Sequence, residues 1–174
     1  MPRVQERPSI PTPIDPRGFF SGVKIRPIAL GAVVDYVATQ LIVVLYVVAY
    51  YLKESPGAGG FSQEAIDKAL REMISSDQGL TALLIIGSLC TALGGFVAGW
   101  LARGDEVKHG AIVGAVSLLI GVAQSSMAGA SSVFPSSYEI VAYLVAIPAG
   151  ALGGYWAQGM MRPVSFGQDD RDRR

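Results

Sequence analysis

This chain is poor in charge, in histidine and in cysteine. Only 16% of its 174 residues are charged, against about a quarter in a soluble domain, and 51% are apolar. The deficit points to a membrane. A single cysteine, Cys90, rules out an intramolecular disulfide, and one histidine with no cysteine cluster leaves no zinc site. There is no nucleophile–base pair, no phosphate-binding loop and no basic face, so the sequence supports neither an enzyme nor a nucleic-acid-binding protein, and it calls for no cofactor.

What the chain does have is long apolar runs. A spanning helix needs about 20 apolar residues. Four runs qualify, at about 27–52, 79–102, 109–127 and 137–161. The first carries one charge, Asp35, and the fourth contains Pro148, which membrane helices tolerate. Fold class is therefore all-α, a polytopic membrane protein with four transmembrane helices. The first run is too long for a cleavable signal peptide and is expected to stay as a helix.

Lysine and arginine are unevenly placed. Eleven of 14 fall in the N-terminal segment, the loop after the second run and the C-terminal tail: Arg3, Arg7, Arg17, Lys24, Arg26, Arg103, Lys108, Arg162, Arg171, Arg173 and Arg174. Lys53, Lys68 and Arg71 lie on the other side. The positive-inside rule then places both termini in the cytoplasm of a cell-membrane protein. Residues 1–24 are proline-rich and expected to stay unpacked, as is the charged tail 163–174, leaving 25–162 as the membrane domain. In the outer loop Ser62 reads as an N-cap, Phe61 and Ile66 as a hydrophobic staple, and apolar residues recur at helical spacing. A short amphipathic helix is expected over about 62–76, capping the bundle or lying on the membrane.

Twelve residues occur twice. Ala92–Arg103 reappears as Ala151–Arg162 with six identities, including the pairs Gly94-Gly95 and Gly153-Gly154. Both copies end a run on the same aqueous side, so the chain reads as two parallel-repeat hairpins. Helices in lipid associate through small residues. Gly94, Gly95, Gly99, Gly110, Gly114, Gly121, Gly150, Gly153 and Gly154 supply candidate packing faces on the last three spans, whereas the first is rich in Val, Ile and Leu and is expected to face lipid.

Asp35 lies nine residues inside Arg26, about 13 Å at 1.5 Å per residue. Counting from Arg103, Arg162 and Lys108 places both Gly pairs and Ser117 at about the same depth. Thr39, Tyr46 and Tyr50 follow Asp35 up one helix face. A carboxylate within a membrane marks a proton or cation pathway by default, so Asp35, Thr39 and Ser117 form a candidate transport or proton site. Asp35 could also be a hydrogen-bonded packing residue, or lie in the headgroup layer if the helix starts later. His109 reads as an interfacial anchor or a partner of Asp105 or Glu106. Gln40 and Gln124 are placed to bond across helices.

The run Gly94-Gly95-Phe96-Val97-Ala98-Gly99, a short loop, then His109-Gly110-Ala111-Ile112-Val113-Gly114, with Ala149-Gly150-Ala151-Leu152-Gly153-Gly154 in the last span, resembles the YrzE-like four-helix bacterial membrane proteins. The resemblance spans about 27–162 and implies fold and location; it assigns no activity. Two functional classes follow from the residues. One is a structural or accessory component acting by helix packing, with itself as a homo-oligomer or with a membrane partner. The other is a small oligomeric transporter or channel using Asp35. The lipid bilayer is a partner in both.

Overall fold

The computed structural model describes residues 21–54, 62–128 and 134–161. They form five helices: α1 (Ile25–Glu54), α2 (Gln63–Ile74), α3 (Asp77–Ala102), α4 (Glu106–Ala128) and α5 (Ser136–Met161). Four of these, all but α2, are long and apolar enough to cross a membrane. Residues 1–20 and 163–174 of the expected tails, Phe61, the glycine-rich stretch before it and the last repeat residue, Arg162, lie outside the described residues. Residues 21–24, expected to stay unpacked, are instead held on the bundle: Val23 packs against Ile28, Ala98 and Val113, and Lys24 is bonded to Ala102 and His109.

Short polar signals set the helix ends. The Ser62 hydroxyl accepts from the Ala65 N–H at 3.2 Å and starts α2. Ser75 ends α2, and Ser76 at once caps α3, accepting from the Gly79 N–H at 3.1 Å. Between α3 and α4 the chain turns through Arg103 (φ 49°), Gly104 (φ 149°) and Asp105 (φ 51°). Two non-glycine residues in left-handed backbone make this a costly turn, about 1–2 kcal/mol each. Pro148 sits inside α5 without ending it; it deprives the Leu144 carbonyl of its helical donor.

Neighbour contacts fix the directions. Gly31 and Asp35 of α1 meet Gly94 of α3, while Val47 packs on Leu83, so α1 and α3 are antiparallel. Gly154 of α5 meets Glu106 and Val107, and Gly114 meets Ala146 and Ile147, so α4 and α5 are also antiparallel. Gly95 beside Gly150, and Gly99 beside Gly154 and Ala157, make α3 and α5 parallel. The bundle is thus two hairpins pointing the same way. Among the described residues the backbones of α1 and α5 do not come close to each other.

One end of the bundle carries Lys24, Arg26 and the α3–α4 turn; we call it the basic end. There the Lys24 ammonium donates to the Ala102 carbonyl at 2.7 Å, and Lys108 donates to the Ser21 carbonyl at 3.1 Å and pairs with Asp105 at 3.3 Å. At the other end α2 folds its apolar face down. Met73 and Ile74 bury against Val47 and Leu83, with Tyr46, Tyr50 and Tyr138 around them. Of the two expected placements for this amphipathic helix, the structure has it capping the bundle. The outward surface of α1 is apolar: Leu30, Val33, Val37, Leu41, Val44 and Leu45 are all exposed, as a lipid-facing helix requires.

Candidate functional site

Asp35 stands in the third turn of α1 and is only 5% exposed. A helix starting at Ile25 puts the carboxylate inside the bundle. Three hydroxyls from three helices converge on it. Thr39, one turn along α1, donates to Oδ1 at 3.4 Å, and Thr91 of α3 donates to the same oxygen at 3.2 Å. Ser117 of α4 donates to Oδ2. The residues singled out in sequence, Asp35, Thr39 and Ser117, are therefore in one hydrogen-bonded group. Thr91 was not singled out. Its signal was present: it precedes Gly94 by three residues, hence shares the helix face that Gly94 turns toward Asp35.

Gly94 explains how a carboxylate fits here. A side chain at Gly94 would meet the Gly31 carbonyl at 2.6 Å and the Asp35 Cβ at 2.7 Å. The two backbones touch, and the Asp35 carboxylate projects past the contact toward Thr91 and Ser117.

The Ser117 hydroxyl has one proton and two acceptors, since it also lies 3.0 Å from the Val113 carbonyl. With Asp35 ionised, Ser117 donates to the carboxylate. With Asp35 protonated, the acid donates to Ser117, which turns its own proton to Val113. Both charge states find partners without moving a helix. The Thr39 and Thr91 bonds are long for O–H···O and stabilise the anion only weakly. Lys68 pairs with Glu72 and Lys108 with Asp105, and among the described residues no cationic side chain bonds to Asp35. A buried carboxylate without a counter-charge carries a penalty of several kcal/mol.

Asp35 opens onto a cavity of about 210 Å³ lined by α1, α3, α4 and α5. Its floor is Asp35, Thr91 and Ser117, and its walls include Leu83, Leu84, Gly87, Leu118, Ala142 and Tyr143. Tyr36, Gln40, Ile120 and Gln124 form the rim and are all exposed. Both glutamines thus share one cavity edge. Tyr46 and Tyr50 do not extend the polar group; they pack in the apolar cluster under α2.

His109 departs from its expected place. It is fully buried, at 0% exposure. Its Nε2 accepts from the Lys24 backbone N–H at 3.0 Å, and its Nδ1 faces the Asp105 carbonyl at 3.0 Å. One acceptor and one donor demand the neutral ring with its proton on Nδ1. The partner on the Asp105 side is the backbone rather than the carboxylate, because the ring lies under the α3–α4 turn, where it ties the start of α1 to α4.

Eight of the nine candidate packing glycines do face another helix closely. At Gly95, Gly110, Gly114, Gly150, Gly153 and Gly154 an added Cβ would strike facing backbone at 3 Å or less. Gly94 does the same, and Gly99 meets Ala157, Gly154 and Glu106 at 3.1–3.3 Å. Gly121 differs, meeting only the Tyr143 ring at 3.1 Å. The two repeat copies also use their glycines differently. Gly94 faces α1 and Gly95 faces α5, whereas Gly153 faces α3 and Gly154 faces α4. The first glycine contacts its own hairpin in one copy and the other hairpin in the second.

No known protein family, curated protein or solved structure matches the chain. The resemblance to the YrzE-like proteins rests on the quoted motifs.

Proposed function

We propose that this protein is a small membrane transporter or channel component that takes up a proton or small cation at Asp35. The observation that carries the reading is a carboxylate buried in the bundle, facing a cavity, with hydroxyl partners but, among the described residues, no cationic one. Such a site is completed by a positive charge from outside the chain. The Ser117–Val113 alternative gives the protonated and ionised forms equal numbers of partners, which suits a group that cycles between them.

The distribution of basic residues supports a basic end in the cytoplasm of a cell-membrane protein. The glycine layer then lies on the cytoplasmic side of the cavity and closes it there, so the site is accessible from the other half. Four helices alone enclose no wide path, so transport calls for a homo-oligomer or for rearrangement of the layer.

The test is flux into liposomes holding the purified protein. Proton or cation flux above that of empty liposomes is expected, and Asp35→Asn should abolish it while leaving helix content unchanged. Absence of flux for protons, common inorganic cations and small organic cations would return the protein to a purely structural role, for which the glycine contacts alone would be the explanation.

A further inference from the structure

We infer that the cation is a small lipophilic amine, and that it reaches Asp35 sideways, from the bilayer, through the gap between α1 and α4. This inference rests on the reading of Asp35 as a cation site and specifies its substrate class and route.

The route follows from where the cavity is closed. Toward the basic end the helices meet backbone to backbone at Gly31, Gly94, Gly95, Gly110, Gly114 and Gly150. Toward the other end Val47, Met73, Ile74 and Leu83 form an apolar plug, with Tyr138 of α5 against it. The paired glycines of α3 and α5 belong to that closed end. At the level of the cavity the exposed lining residues, Tyr36, Gln40, Ile120 and Gln124, all belong to α1 and α4, so the cavity opens on the side where these two helices face each other. These helices meet near the basic end, where Ile28 and Gly31 pack with Val113 and Ser117 bonds Asp35. Farther along, α1 leans on α2 and α3 through Val43 and Val47, and α4 is drawn to α5 by Ser125, which lies 3.0 Å from both Glu139 and the Tyr143 hydroxyl. The gap between them is edged by Tyr36, 46% exposed, and Ile120, 37% exposed, with Gln40 and Gln124 beside them. Val37, Leu41 and Leu119, all exposed, continue the outer surface on either side of this edge. An opening set among lipid-facing side chains admits solutes that dissolve in lipid; a hydrated inorganic ion is excluded from it.

The lining selects the same kind of molecule. One end of the cavity is a carboxylate with hydroxyls; the remainder is Leu83, Leu84, Leu118, Ala142 and the Tyr143 ring. A cavity of about 150 Å³ accommodates benzene, so 210 Å³ suits one ring and a short tail ending in an amine. Oδ1 already accepts two hydroxyls and Oδ2 one, which leaves Oδ2 an acceptor position for an ammonium N–H. The proton balance is simple. A neutral amine arriving at protonated Asp35 takes its proton, giving an ammonium–carboxylate pair, and Ser117 turns from Val113 to donate to the new anion.

The test is equilibrium binding of labelled 2-phenylethylamine to the full chain in lipid nanodiscs, with methylamine and 2-phenylethanol as comparators. The aromatic amine should bind at least about tenfold more tightly than methylamine, the difference expected for burying a ring. Phenylethanol, which brings no charge, should show no saturable binding. Asp35→Asn should lose the amine. So should Gly87→Phe, which fills the cavity from a position where an added Cβ meets nothing within 4 Å and which should leave the thermal midpoint unchanged. Gln40→Trp and Gln124→Trp, at the rim, should slow association more than they change affinity. Methylamine binding as tightly as phenylethylamine, or association unaffected by the rim variants, would overturn the lipophilic class or the lateral route while leaving Asp35 as a cation site. Binding of every probe unchanged in Asp35→Asn would instead remove the cation site itself.

Discussion

The closed layer of this bundle and the cavity above it are built from the same residue types and do opposite things with them. Near the basic end glycine removes space: Gly95 lies against Gly150, and Gly153 against Ala92, so that two backbones touch. Around the cavity glycine leaves space: nothing stands within 4 Å of an added Cβ at Gly87, and Gly121 faces only a tyrosine ring; beyond the cavity, under α2, Gly79 is tight again, its added Cβ running into the Met73 carbonyl. Asp35 sits on the boundary, its Cβ against Gly94 and its carboxylate toward the cavity. A small residue in a membrane helix is therefore not in itself a packing residue. What decides is whether the neighbouring helix is free to approach, and here α1 is held by α2, and α4 by α5, away from each other.

The largest expected effect breaks the closed layer. Gly95→Leu or Gly154→Leu inserts a side chain where facing backbone already stands within 3 Å and should destabilise the bundle by about 3 kcal/mol or more, read as thermal unfolding in detergent. Tolerance equal to that of a lipid-facing site would mean the helices are not in contact there. Next comes His109→Ala, which leaves the partly buried Lys24 N–H without its acceptor and a void under the turn, for a loss of about 2–3 kcal/mol. A loss near zero would show that the start of α1 is not tied down at this point. Gly87→Ala tests the cavity and should go the other way, stabilising by about 0.5–1 kcal/mol, because a helical glycine gains by acquiring a Cβ when nothing opposes it. Destabilisation at Gly87 would mean that the cavity closes in the membrane. The smallest effect belongs to Val44→Leu, on the lipid surface and 57% exposed, where a change within about 0.5 kcal/mol is expected.

Much of the closed layer was legible in the sequence. Run length located the four spans, and counting inward from Arg26 and Lys108 set Asp35 and Ser117 at one depth, where they are bonded. Depth is one-dimensional and survives translation from sequence to structure. Facing does not. The repeat gave no sign that Gly94 and Gly153 turn to different kinds of neighbour, because identical dipeptides in helices at different places in a bundle meet different surroundings. Tyr46 and Tyr50 share a face with Asp35 yet belong to the α2 cap, since an amphipathic helix folded over that end supplied an apolar partner. His109 looked like an anchor because it stands beside Lys108 at a helix start. Its burial depends on the approach of Lys24, 85 residues away in sequence, which no local pattern records.

The turn through Arg103, Gly104 and Asp105 joins α3 and α4 at the end opposite the cavity that lies between them. Its three residues act as the pivot of a pair of long arms. At 1.5 Å per residue the 26 residues of α3 reach about 39 Å, so a rotation of about five degrees at the pivot carries the far tip roughly 3 Å. The cavity lies partway along the arms and would widen by a fraction of that. Two left-handed non-glycine residues stiffen the pivot, and Lys24, bonded to the Ala102 carbonyl and the His109 ring on its two sides, straps it. The Lys24 strap thus holds the turn that sets the angle between α3 and α4, two of the four helices that line the cavity.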